Sequence, residues 1–136
     1  TDPKIDLEVG GAGFSSVITG GTAGSNAGSS AIDITLLDAT KTAKFKALRL
    51  FIAVTGTIGS TGTTELSTAH VIVNGTSSAV LGTPYGVTLS TGTTAVIGTY
   101  TIAMSSAALV LKLTASSQAQ GNPVIAKITI QGMDLS

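Results

Sequence analysis

The chain is 136 residues long, with seven Lys and Arg, seven Asp and Glu, a formal net charge of zero and no Cys. That length predicts one domain, and the missing cysteine excludes disulfides, thiolate metal sites and thiol catalysis. Phosphate binding needs clustered positive charge, so neither nucleic acid nor an anionic membrane surface is an expected partner. No apolar run approaches the ~18–20 residues that cross a bilayer, so no membrane insertion is expected.

At the N-terminus Ile5, Leu7 and Val9 alternate with Asp6 and Glu8, the pattern of a short strand. Gly10-Gly11-Ala12-Gly13 and Ser15–Thr19 follow, and Gly20–Ser30 has the composition of a linker or mobile loop. This divides the chain into an N-terminal strand with a Gly/Ser-rich arm, residues 1–30, and a body, residues 31–136. An arm bearing one amphipathic strand suits pairing with another subunit's sheet edge, with Ile5, Leu7 and Val9 as the inter-subunit strand. An edge strand of the same subunit fits the pattern equally.

From Ala31 the strands come quickly. Ile32, Ile34 and Leu36 alternate with Asp33 and Thr35, and Ala43–Val54 is long and rich in Phe, Leu, Ile and Val. Ala69–Val73 leads into Asn74-Gly75, the signal of a type I′ hairpin, with Ala79–Leu81 as the return strand. Val87–Leu89 is short, and Val96–Ala103, Leu109–Leu113 and Val124–Ile130 complete the set. Leu109, Leu111 and Leu113 share one face, as do Val124, Ala126, Ile128 and Ile130, a period of two that marks strands with one face buried. No segment of ten residues carries a helical period. The expected fold is all-β, an antiparallel β-sandwich or jelly roll of about eight to ten strands. Within it Leu111→Ala should cost about 2–5 kcal/mol in denaturant unfolding, the range for a buried leucine; a change near zero would place Leu111 outside the core.

Two features predict self-association. Charged residues are only 10% of the chain, well below the roughly 25–35% of a typical soluble surface. The long strand is also apolar on both sides, with Leu48, Leu50, Ile52 and Val54 on one face and Phe45, Ala47, Phe51 and Ala53 on the other. Such a strand expects cover on both sides, and a second layer of the same subunit supplies only one.

Chemistry has little to work with. His70 is the only histidine and lies in Ala69–Val73, facing the same way as Ile72, so it is expected to be a packed strand residue and not a catalytic base. Asp6 and Glu8 share a face, but Asp33, Asp38, Glu65 and Asp134 are scattered, and no metal-ligand spacing appears. No enzyme activity and no cofactor are expected. Ser-Thr-Gly-Thr-Thr occurs at both Ser60–Thr64 and Ser90–Thr94, with unrelated flanks, so it reads as reused turn chemistry. Tyr85, in Gly82-Thr83-Pro84-Tyr85-Gly86, is the candidate for receptor or glycan contact, whereas Tyr100 alternates with Ile102 as core or interface.

The segment Ala69–Ser136 resembles the C-terminal β-rich domain of bacteriophage tail fibres and related trimeric virion fibre and decoration proteins. The likeness is carried by Thr68-Ala69-His70-Val71-Ile72, by Leu81-Gly82-Thr83-Pro84, by the strand Ile97–Met104, and by Ala108–Thr114 followed after a small polar loop by Val124–Ile128. The family tends to carry Trp where this chain has Ile97–Tyr100 and Pro123-Val124-Ile125. The resemblance implies a homotrimeric module in a virion, serving trimerisation, host-surface attachment or capsid decoration, with other virion subunits and a host-surface glycan as partners. It implies no catalytic residues. Two other readings share the charge-poor surface: a subunit of an extracellular or cell-surface filament assembled by N-terminal strand donation, and a carbohydrate-binding module with an exposed aromatic platform.

Overall fold

The computed structural model describes residues 13–23, 31–90, 96–116 and 124–134. In chain order these form β1 (Gly13–Ala23), β2 (Ala31–Leu37), α1 (Ala39–Thr42), β3 (Phe45–Ile58), β4 (Thr61–Asn74), β5 (Ser78–Leu81), β6 (Tyr85–Leu89), β7 (Gly98–Ser105), β8 (Ala108–Ala115) and β9 (Val124–Asp134). All strand pairs are antiparallel. The larger sheet runs β1-β9-β3-β4, with β5 and β6 sharing the far edge of β4; the smaller is β2-β8-β7. The all-β sandwich expected from the period-two runs is the observed fold.

Alternation places the core where the two sheets face each other. Leu48, Leu50, Ile52 and Val54 of β3 and Val124, Ala126, Ile128 and Ile130 of β9 point inward from the large sheet. Ile32, Ile34 and Leu36 of β2 and Leu109, Leu111 and Leu113 of β8 meet them from the small one. Burial of each large aliphatic side chain is worth about 1.5–3 kcal/mol over leaving it in water. Ile5, Leu7 and Val9 lie outside the described residues. Gly13–Ala23 pairs with β9 within the chain, so strand structure extends into the glycine-rich stretch expected to be a linker. Its register with β9 shifts between Thr19 and Thr22, where Gly20 and Gly21 add one residue to β1.

Three local details differ from the expectation. Phe45 was placed with Ala47 and Phe51 on the far face, yet it is fully buried in the core. The register between β3 and β9 shifts between Phe45 and Ala47, so Lys46 is an extra residue that turns Phe45 inward. The Nζ of Lys46 then donates to Thr42 O at 2.7 Å and caps the C-terminus of α1. Asn74-Gly75 does lie in a hairpin, but Asn74 pairs with Ser78, which leaves a three-residue loop with Gly75 at φ +62°. Finally, α1 is a single turn, started by Asp38, whose Oδ1 accepts the Lys41 N–H at 3.0 Å.

The β7–β8 hairpin stores strain. Ser105 pairs with Ala108, so the loop is Ser106-Ala107, and both residues sit at positive φ, 49° and 66°. A type I′ turn requires that conformation and is normally made with Asn-Gly, because a Cβ there costs about 1–2 kcal/mol per residue. Thr42, buried at the end of α1, donates its hydroxyl proton to Ala107 O at 2.6 Å and holds the turn in place. Ala107→Gly should therefore stabilise the protein by about 0.5–1 kcal/mol, since the carbonyl remains and the strain goes. A lowered midpoint in denaturant would show that the turn is not strained in this way.

Candidate contact face

The two outer faces of the sandwich are chemically unlike. On the small sheet the cross-strand rows are Thr35–Val110–Ala103, Asp33–Lys112–Thr101 and Ala31–Thr114–Thr99. Four of these nine are threonine and three are alanine or valine, with one wide and exposed ion pair, Asp33 to Lys112 at 4.0 Å. Water covers such a face without help.

On the large sheet, register assembles different rows. Met133, Ala47, Ile72 and Val80 form one across β9, β3, β4 and β5; Gln131, Arg49 and His70 form the next. Thr129, Phe51, Thr68 and Tyr85 form the third, and Lys127, Ala53, Leu66 and Thr88 the fourth. Met133 is 58% exposed, Ile72 and Val80 each 55%, and Phe51 48%. Single exposed apolar side chains are ordinary, but Met133, Ala47, Ile72 and Val80 are neighbours along one row, and Phe51 stands two rows away across Arg49.

Arg49 stands at the centre of this face. It lines a shallow depression of about 350 Å³ with Ala47, His70, Gln131, Gly132 and Met133, and a second of about 170 Å³ with Phe51, Thr129 and Gln131. His70 is exposed beside it, which corrects the expectation of a packed histidine: the parity with Ile72 was right, but that parity faces outward. Tyr85 begins β6 and is 47% exposed. Its hydroxyl is 3.3 Å from His70 Nε2, and the two rings lie 5.4 Å apart, tilted by 50°. The neighbouring Gly86 at φ +64° sits where the β4–β6 register slips, and the bulge brings Tyr85 level with Thr68.

A buried acidic side chain lies elsewhere. Glu65 faces inward from β4, between Thr63 and Ser67, and is almost fully buried. Its Oε1 accepts the Ile97 N–H at 2.7 Å and its Oε2 accepts the Tyr100 hydroxyl at 3.5 Å. Ile97 O in turn accepts the Ser116 N–H at 2.8 Å. Next to it Thr64 and Ser90 are joined twice, by Thr64 N–H to Ser90 Oγ and Ser90 N–H to Thr64 O, both at 2.9 Å. The carboxylate thus fastens the start of β7 to β4; it is a structural pin. In sequence Glu65 stands among several scattered acids, and its inward parity with Ala69, Val71 and Val73 is the sign of its burial.

Burial pushes the Tyr100 hydroxyl above its ordinary value, and the adjacent Glu65 carboxylate pushes it further, while Ser67 acts the other way. Up to about pH 10 the proton is held in both states; beyond that the unfolded chain ionises first, so stability falls as pH rises. Tyr100→Phe should flatten that decline between about pH 9 and pH 11. An equal decline in the variant, followed by denaturant titration at each pH, would assign it to another group.

Among the described residues no three His, Asp or Glu side chains gather as a metal would require. Comparison of the chain with protein-family models, with curated proteins and with solved structures finds no match.

Proposed function

We propose that the chain is a non-enzymatic structural module of a virion, a fibre, spike or decoration domain that assembles with copies of itself as a trimer or higher oligomer and contacts the host surface. The observation that carries this reading is the unlikeness of the two outer faces: one mixes threonine with short side chains and an ion pair, the other leaves Phe51, Ile72, Val80 and Met133 uncovered. Ile72 and Val80, on the β4–β5 side of that face, are what copies of so charge-poor a chain cover, and the β9–β3 side stays open to the host surface. The order and spacing of strands from Ala69 onward, which resembles tail-fibre domains, supports the virion setting. β1 fills the edge of β9 within the chain, which favours a closed assembly over strand donation at that edge. The dispersal of titratable groups, with Glu65 inside and His70 outside, supports action by contact.

Sedimentation at micromolar concentration tests the assembly, with a mass that is a small multiple of 13.4 kDa expected. A single species of 13.4 kDa would sink it. Adsorption of the purified assembly to host cells tests attachment.

A further inference from the structure

We infer that the depression around Arg49 on the outer face of the large sheet is a binding site for a carboxylated sugar. The inference rests on the host-attachment reading and gives it a ligand class and a residue.

The guanidinium of Arg49 has no hydrogen bond or ion pair to any other described residue, and the described part of this face carries Arg49, Lys127 and His70 but no carboxylate. Arg49 is exposed beside these depressions with no anion near it among the described residues, and its planar fork matches a carboxylate through two parallel hydrogen bonds. The flanking groups are equally particular. Gln131 and His70 stand on either side of Arg49 in the same cross-strand row and offer donors and acceptors to hydroxyls. Met133 and Ala47 lie along one side of that row and Phe51 along the other, so an apolar surface borders the polar one. A pyranose has that same division, a rim of hydroxyls around an apolar C–H face. The Tyr85 hydroxyl at His70 Nε2 makes Tyr85 a positioning residue, which orients the imidazole.

The size of the depression admits a sugar residue. A volume of about 350 Å³ lies at the small end of ligand sites, and the second depression continues it past Arg49, as the next residue of a chain would. A site this open binds weakly alone, and several copies in one assembly raise the overall affinity by holding further sites close to a surface already engaged.

The full-length protein is titrated, by calorimetry or by amide shifts in NMR, with an oligosaccharide ending in a uronic acid and with the same oligosaccharide as its methyl ester. The acid is expected to bind at least tenfold more tightly than the ester, with shifts centred on residues 47–49, 70 and 131–133. Arg49→Met should remove that preference while leaving the sedimentation mass unchanged. Equal binding of acid and ester, or no binding of either, overturns the inference; so does an Arg49→Met variant that keeps the preference. An acidic peptide of equal charge is the third arm, and binding as tight as that of the oligosaccharide would show a reader of charge alone, which also overturns it. The acid–ester comparison uses the unaltered protein, so it decides even if Arg49→Met does not fold. Host adsorption separates the two readings: adsorption by the wild type that Arg49→Met does not diminish sinks only the inference, whereas no adsorption by the wild type sinks the attachment reading itself.

Discussion

Glu65→Ala is expected to destabilise the protein by about 3 kcal/mol or more, and Glu65→Gln by about 1 kcal/mol or less. The alanine removes the acceptor of the Ile97 N–H, and that donor is buried with Ile97 itself fully out of solvent. An unsatisfied buried donor costs about 1–3 kcal/mol, and the space left by the longer side chain adds a cavity term. Glutamine keeps an oxygen for Ile97 and presents an amide N–H to the Tyr100 oxygen, so the pair survives with its polarity reversed. No cationic side chain pairs with Glu65 among the described residues, so losing the charge removes no salt bridge. Urea unfolding of the three proteins decides the matter. A glutamine variant as damaged as the alanine variant would mean that the negative charge, not the hydrogen bond, holds β7 to β4.

Gly98→Ala should cost about 3 kcal/mol, the upper part of the usual range for overpacking. A Cβ at this position would stand 2.6 Å from Thr114 O and 2.7 Å from Leu113 Cδ1. The leucine methyl can turn away; the carbonyl belongs to the neighbouring strand of the same hairpin, where Gly98 pairs with Ala115, and cannot. Gly62→Ala is the control, since nothing lies within 4 Å of its Cβ direction and its φ is not positive. It should change stability by no more than about 0.5 kcal/mol. If the two alanines behaved alike in thermal unfolding, glycine would be present at position 98 for reasons other than close approach of the strands.

Parity was the legible part of this chain. Leu109, Leu111, Leu113, Val124, Ala126, Ile128 and Ile130 were assigned to one core from their spacing, and all seven are buried. Parity fails wherever a strand slips by one residue, and nothing in Lys44-Phe45-Lys46-Ala47 announces the bulge that turns Phe45 inward. The Ser106-Ala107 turn has no sequence signal because neither residue favours the left-handed conformation; the surrounding strands and Thr42 impose it. The four residues of α1 are too few to show a helical period, although Asp38 three residues before Lys41 is a sound cap. The exposed position of Tyr85 was readable from its turn-like surroundings, but its partnership with His70 was not, because it depends on how β6 pairs with β4. The same holds for Arg49. Its place between Gln131 and His70 is a property of register across three strands, and register is not written in any one of them.

The double clasp between Thr64 and Ser90, next to the one between Glu65 and Ile97, has a consequence for how this protein can change. Thr64 and Glu65 are consecutive, so Ser90 and Ile97 are bound only one residue apart along β4. Both anchors are made by groups outside residues 91–95. A foreign peptide placed between Ser90 and Val96 would therefore begin and end at fixed points, and doubling its length adds only about 0.6 kcal/mol of closure entropy. That makes the junction a natural port for grafted epitopes or new binding sequences, open to variation while the sandwich behind it stays the same.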